Sequence, residues 1–428
     1  MTAVAISPST DIYDRRNPLR TIIVNLYSSC LRTAINDLST FQRPSCLLQN
    51  TKDLLVDPIT RGVTAIRHTV VAAASSSSLS RAESFLSYTS APTSARAYDS
   101  YEKLVNDPEV DIIYIATPHS HHYQNAMLCL EAGKNVLCEK PFTVNARQAR
   151  KLAEKARERG CFLMEALWTR YFPLSAYVRE TITSGQIGSV VRVITDCSVA
   201  TNPESSFEDA NHRMVNANLA GGALLDLGIY SLTWPFVALY HTQPVESRRP
   251  PRVLAAMTKY PPTFTADEMT TMVLVFPRHE SAGGDTHAIA TTSIRLETSP
   301  PADPNPPPAV RIQGRLGEIQ LFPCAHNPNK SKLVLLDGSI EEKSWSQPGP
   351  GKGSGWYNGF GDGVNAEGEG QGMFWEADEA GMALLEGRKE GKYLDLEETI
   401  IIMEVMDDVT RQCGLIYPEN VETTEYPL

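Results

Sequence analysis

The sequence predicts an α/β protein in which a parallel sheet built from βαβ units precedes a larger, mainly antiparallel open sheet. Three observations carry this. Asp111 to Thr117 is a short apolar run rich in β-branched residues and closed by Pro118, the pattern of a strand buried on both faces. Ser120 to Ala132 then carries helix formers with a stop at Gly133, and Asn135 to Cys138 is a second short strand, which completes strand, helix and strand. Beyond Val190 the pattern changes to successive strands separated by turn signals and short insertions, with few helices between them.

Taken in order, residues 1–18 are polar and irregular, a disordered lead-in by composition. Leu19 to Val24 reads as the first strand. A dinucleotide-binding fold should place G-x-G-x-x-G directly after it, because glycine lets a pyrophosphate approach the backbone. Asn25, Leu26 and Tyr27 stand there instead, and no glycine occurs before Gly62. Thr51 to Val56 ends a helix, and Ile66 to Ala74 is the second strand. Ser75 to Ser78 and Arg81 follow, where an acidic residue would hold the ribose hydroxyls of NAD; hydroxyls and an Arg suit the 2′-phosphate of NADP. The same residues would serve equally as a Ser-rich turn capping the helix Leu79 to Leu86. A short third strand falls within Pro92 to Tyr98, and Ser100 caps a short helix to Val105.

Past Pro141, Thr143 is expected to cap a long helix ending at Gly160, and Cys161 to Ala166 is a buried strand. A helix from Pro173 to Ser184 precedes the first alternating strand, Val190 to Ala200. Val253–Tyr260, Glu268–Phe276, Ile289–Leu296, Val310–Gly314, Glu318–Leu321 and Leu333–Leu336 continue the second sheet. Six prolines between Ser299 and Pro308 mark a surface insertion, and Gly349 to Gly372 is a Gly-rich loop without the P-loop spacing. Helices at Glu376–Glu386 and Leu396–Cys413 end the fold. We divide the chain into a lead-in (1–18), a nucleotide-binding domain (19–142, anomalous at 25–50) and a substrate and dimerisation domain (143–428).

Composition excludes several functions. A net charge of −11 without a dense Lys/Arg cluster argues against nucleic acid. No run has the length and apolarity expected of a membrane span, and no signal pattern opens the chain. Eight scattered Cys without C-x-x-C pairs suit buried thiols in a reducing, cytoplasmic compartment.

The chemistry is expected at the carboxyl ends of the strands, where open α/β sheets bind ligands. Thr117-Pro118-His119 and Glu139-Lys140-Pro141 would line one crevice there. A second constellation is Asn218 to Tyr230, in which Gly221 and Gly222 open a helix, and Asp226 and Tyr230 share one face four residues apart. An Asp and a Tyr on an otherwise apolar helix need a polar destination; a buried Tyr–Asp hydrogen bond without chemistry is the plainer alternative. The cluster His119-Ser120-His121-His122 has no Cys, Asp or Glu at ligand spacing, so no metal is expected.

At Glu139-Lys140-Pro141 and Gly221 to Tyr230, together with Trp168-Thr169-Arg170 and Gly372 to Asp378, the chain resembles the Gfo/Idh/MocA oxidoreductases. Within them it is most similar to the group of dimeric dihydrodiol dehydrogenases and NADP-dependent D-xylose dehydrogenases. The resemblance implies a Rossmann domain, a C-terminal α/β domain whose open sheet faces a partner in a homodimer, NADP as cofactor and a sugar or cyclic diol as substrate. It also implies Lys140 as the catalytic lysine, Tyr230 as the base and Asp226 as its partner carboxylate, with His119 and His122 at the cofactor and substrate edge and Trp168 against the nicotinamide. Ser75, Ser76, Arg81, Thr117, Pro118, Glu139 and Arg170 complete the expected cofactor contacts. The departure lies before Asp53, where the glycine turn is replaced by the glycine-free stretch Asn25 to Asn50. That stretch is expected to weaken NADP binding by orders of magnitude, which leaves open a non-catalytic scaffold or an inactive splice product.

Overall fold

A computed structural model describes residues 19–25, 62 and 66–428, apart from 77, 90, 208–210, 301–302 and 355–366. The lead-in, the anomalous segment after Asn25 and the helix end at 51–56 lie outside the described residues.

Six strands form the first sheet: β1 (Leu19–Asn25), β2 (His68–Ala74), β3 (Arg96–Tyr98), β4 (Ile112–Ala116), β5 (Asn135–Glu139) and β6 (Leu163–Ala166). All pairs are parallel, in the order β3-β2-β1-β4-β5-β6. This is the doubly wound arrangement, whose strand order reverses between β1 and β4. Ile112, Ile113, Tyr114 and Ile115 are all buried, as a central strand with helices on both faces requires, and each such aliphatic side chain contributes about 1.5–3 kcal/mol by leaving water. The sheet takes β6 from beyond residue 142, so the first folding unit runs past the division made from the sequence. The physical reason is the second crossover helix: it returns the chain to the same sheet beside β5.

Among the described residues, the α-helices of five or more residues are α1 (Leu79–Tyr88), α2 (Tyr101–Val105), α3 (His122–Glu131), α4 (Ala146–Arg159), α5 (Pro173–Thr183), α6 (Ile229–Pro235), α7 (Phe374–Leu385) and α8 (Leu396–Cys413). The cap of α4 is Asn145, whose side chain accepts from Gln148 N at 3.0 Å, rather than Thr143, whose hydroxyl donates to the Asn145 carbonyl. Ser78 and Ser100 cap α1 and α2 as expected.

The second sheet has eight strands: β7 (Val190–Ser198), β8 (Arg252–Lys259), β9 (Asp267–Phe276), β10 (Thr286–Ser293), β11 (Val310–Gly314), β12 (Gly317–Phe322), β13 (Lys330–Leu335) and β14 (Ile340–Ser344). Its order is β14-β13-β12-β11-β7-β10-β9-β8, antiparallel except where β10 joins β7. Strand β14 has no apolar alternation and escaped the sequence reading. It is held by a hairpin whose Gly338 has φ +90°, and by Lys332–Glu342 across the strands at 3.1 Å.

Residues Ala217–His241 form a helical segment packed on β7, β9 and β10 of the second sheet. Their mean hydropathy reaches 1.4 in an 18-residue window, enough for a membrane span and contrary to the sequence expectation, yet that window is wholly buried within the protein. The C-terminal tail returns to the first sheet: Gln148 Nε2 donates to Val421 O at 2.8 Å and Tyr123 OH to Thr424 O at 2.7 Å.

Candidate active site

The site lies where the carboxyl ends of β4 and β5 meet the Ala217–His241 helix. Lys140 leaves the end of β5 and points across at Asp226. Its Nζ donates to the Asp226 main-chain carbonyl at 2.7 Å and to Oδ1 at 3.1 Å. The same ammonium lies 4.8 Å from the centroid of the Tyr230 ring. Trp168 Nε1 donates to the Tyr230 hydroxyl at 2.8 Å. The lysine, aspartate and tyrosine singled out in the sequence therefore converge.

The backbone explains how. Leu224–Gly228 is a π-helical turn, a widened geometry that recurs at functional sites, and it carries Asp226. Ala220, at the entry, is held in the left-handed region at φ +54°, and its carbonyl meets His119 Nδ1 at 3.0 Å. Gly222 has φ +136°, and a Cβ there would collide with Asp267 Oδ1. Asp267 Oδ2 accepts from Leu224 N at 2.9 Å and from the Thr270 hydroxyl at 2.8 Å, so a buried carboxylate on β9 caps the helix from outside. Burial pushes the Asp267 carboxyl up to about 6. The two glycines are needed because backbone and carboxylate press against this helix entry from two sides.

Electrostatics separate the groups. Burial alone would raise the Asp226 carboxyl, but Arg213 and Lys140, aided by His119, hold it well below the usual carboxylate range. Its oxygen Oδ1 meets Arg213 Nη1 at 2.8 Å and His119 Nε2 at 3.5 Å. The carboxylate is thus engaged by cations and an imidazole, and the plain Tyr–Asp pair is not what forms. Burial lowers His119. His326 stacks on Trp168 at 6.3 Å and lies 5.5 Å from the Tyr230 ring; burial and the Lys140 charge push it down to about 4, so it is neutral.

Other expected residues divide. Glu139 sits beside Lys140, its Oε2 accepting from Lys140 N at 3.2 Å while Tyr114 OH donates to Oε1; burial raises its carboxyl. Thr117 is buried at the crevice, and its hydroxyl has no partner among the described residues. Pro118 is half-buried beside it. Ser75 is buried at the end of β2, Ser76 is exposed and Arg81 is half-buried in the first turn of α1.

His122 lies beneath the crevice. Its ring is fully buried between the Pro141 carbonyl at 2.8 Å and the Thr117 carbonyl at 2.9 Å, and burial pushes it down to about 3. The neutral ring has one N–H, so it donates to one of these two carbonyls and packs against the other. Arg170 likewise spends its donors within the protein. It is fully buried, donating to Tyr393 O at 2.6 Å and to Glu398 Oε1 at 2.6 Å. The three clustered histidines diverge, and no group of metal-ligating side chains occurs among the described residues.

Arg213, His326 and the Asp267 of β9 were missed. Arg213 precedes the Gly-Gly pair by eight positions, in a loop with no periodic signal, and His326 sits in a turn between β12 and β13. Only proximity in the folded chain marks them.

Fold and site together define a Rossmann-type oxidoreductase. A family model described as an oxidoreductase family with an NAD-binding Rossmann fold matches residues 58–167, and a GFO/IDH/MocA C-terminal domain matches 175–320. The chain belongs to the Gfo/Idh/MocA family. It is 50% identical over 380 residues to a D-xylose 1-dehydrogenase (NADP(+)) of Hypocrea jecorina, which covers 88% of this chain and 91% of that one. It is 32% identical over 353 residues to a trans-1,2-dihydrobenzene-1,2-diol dehydrogenase of Bos taurus, covering 82% and 91%. Among solved structures, an NAD binding oxidoreductase from Klebsiella pneumoniae shares the fold with a TM-score of 0.65 at 19% identity, covering 94% of this chain and all of that one.

Proposed function

We propose that this chain oxidises a carbinol of a sugar or cyclic diol with NADP, in the manner of D-xylose to xylonolactone or a trans-dihydrodiol to a catechol. The observation that carries the reading is the convergence of Lys140, Asp226 and Tyr230 at the carboxyl edge of β5. Bound NADP would supply the hydride acceptor. The residues that fit it are Ser75, Ser76 and Arg81 at the end of β2, Thr117, whose buried hydroxyl has no partner among the described residues, Pro118, His119 and Glu139, with Trp168 closing the nicotinamide side.

The chain's own task is the proton. As the carbinol hydrogen leaves as hydride, the hydroxyl proton passes to the Tyr230 oxygen. A free phenol ionises near 10, so working near neutrality requires about 3–4 kcal/mol of help. The Lys140 ammonium lies 4.8 Å from the ring centroid, close enough for its charge to favour the phenolate, and the indole N–H from Trp168 adds a donor to the phenolate. Lysine suits the place because it is a compact point charge that can also donate to Asp226.

Cofactor choice tests the reading. Steady-state kinetics should give a kcat/KM for NADP at least about tenfold above that for NAD, from charge pairing of Arg81 with the 2′-phosphate. Equal or better use of NAD would remove the argument from Arg81. A non-catalytic scaffold has in its favour only the glycine-free segment, which lies outside the described residues.

We further propose a homodimer assembled through the 190–340 region. Leu254, Val273, Ile289 and Ile194 are cross-strand neighbours in one row over β8, β9, β10 and β7, and the first three are exposed. Such a row on an uncovered sheet face fits burial against a second copy by two-fold contacts. Light scattering should give twice the chain mass at micromolar concentration; a stable monomer would count against it. A cytoplasmic location fits the six described cysteines, all free thiols.

A further inference from the structure

Three separate elements meet at the phenol of Tyr230, and two hydrogen bonds set their register. Trp168 opens a 3-10 turn, Trp168–Tyr171, and donates its indole N–H to the Tyr230 hydroxyl at 2.8 Å. The turn between β12 and β13 carries His326, whose ring stacks on Trp168 with 27° between the planes and lies 5.5 Å from the Tyr230 ring. Two consecutive carbonyls of this second turn are occupied. Ala325 O accepts from the indole N–H of Trp234 at 2.9 Å, and Trp234 is fully buried one helical turn after Tyr230 in α6. His326 O accepts from the hydroxyl of Thr169, which is fully buried next to Trp168 in the chain. The His326 turn is therefore a clasp. One carbonyl holds the helix of Tyr230, and the next holds the turn of Trp168.

The rest of the Trp168 turn is held by main-chain carbonyls and by Arg170. Ser175 donates to Thr169 O, and Arg179 Nη1 donates to Arg170 O at 2.8 Å. The Thr169 hydroxyl is the atom that ties this turn to the side of the site carrying Tyr230. A donor bonds a phenolate more strongly than a phenol, so an indole N–H held on the oxygen favours ionisation. Such a donor acts only while neighbouring hydrogen bonds keep its geometry. We propose that Thr169 is a positioning residue for catalysis: by binding the His326 carbonyl, it keeps the Trp168 N–H aimed at the Tyr230 oxygen. Its own hydroxyl goes to the carbonyl, so it acts through Trp168. The inference rests on the reading of Tyr230 as the base.

The test uses the full-length chain without cofactor. Phenolate absorbance is titrated with pH, and the same chain carrying Tyr230→Phe is subtracted to isolate Tyr230. Thr169→Val keeps the side-chain shape and removes the donor. It should raise the Tyr230 ionisation by about one pH unit, a tenfold change in proton affinity, and Thr169→Ser should restore it. Lys140, Asp226, Arg213, His119, Glu139 and His326 are the same in every variant, so the comparison does not read their charges. The acid limb of kcat/KM should move up in parallel while the KM for NADP stays unchanged. In a Trp168→Phe chain, where the ionisation is already raised, adding Thr169→Val should shift nothing further. A hydroxyl that only stabilised the fold would lower the resistance to urea and leave the ionisation where it was. That result overturns the proposal alone, as does a further shift in the Trp168→Phe chain. Should Thr169→Val not fold, Thr169→Cys, a weaker donor of similar size, must raise the ionisation, and no rise overturns the proposal. A Tyr230 in the unmodified chain that ionises no lower than an ordinary phenol, near 10, overturns the proposal and the reading beneath it.

Discussion

Lys140→Met and Tyr230→Phe should each lower kcat by about 100- to 10,000-fold, and the double variant should be scarcely worse than the more damaging single. Tyr230→Phe removes the proton acceptor while keeping the ring that packs against His326 at 5.5 Å. Lys140→Met removes the charge 4.8 Å from that ring while keeping most of the side-chain volume. Both changes strike one proton transfer, so the second has little left to remove. Losses that multiply would mean independent roles, contrary to the shared-site account. Neither change should alter the fold, since Tyr230→Phe keeps the packed ring and Lys140→Met keeps most of the side-chain volume.

Arg170→Met should destabilise the protein by about 3–5 kcal/mol while leaving the KM for NADP nearly unchanged. The guanidinium is wholly buried and pairs with Glu398 at 2.6 Å, and Glu398 also meets His241 Nδ1 at 2.9 Å. Burial alone would raise the Glu398 carboxyl, but Arg170 and His241 hold it below its ordinary value. In the unmodified protein that pairing stabilises above the unfolded carboxyl value, near 4.3, and is lost as pH falls through the lower folded value. Removing Arg170 leaves burial to dominate and raises the folded value instead. The stability deficit should therefore be greatest near neutrality and shrink as pH drops toward 4. Urea unfolding at several pH values reads this directly. A large rise in the KM for NADP without loss of stability would return Arg170 to the cofactor site.

Much of this was legible because it obeys local rules. Buried strands such as Ile112–Ala116 are continuous apolar runs, and Asp226 with Tyr230 stands out as polar on an apolar helix. Glu139 and Lys140 lie at the carboxyl end of β5, the position that a βαβ unit dictates. What escaped depends on tertiary contact. Arg213 and Asp267 act on the active-site helix from other elements, and no spacing in the chain reveals them. His122 and Arg170 were drawn to the site by sequence neighbours, yet both spend their donors on buried carbonyls or a buried carboxylate. Strand β14 was missed because charged cross-strand pairs replace apolar alternation.

The central claim is that this chain, as it stands, moves a hydride from a carbinol to NADP under control of Lys140 and Tyr230. The most direct measurement is NADPH absorbance after mixing the purified full-length chain with NADP and either D-xylose or a trans-dihydrodiol. NADPH should accumulate over many turnovers with at least one of them, and Lys140→Met should abolish nearly all of it. Absence of NADPH with both substrates at saturating concentrations, from protein that is folded and dimeric, would contradict the account.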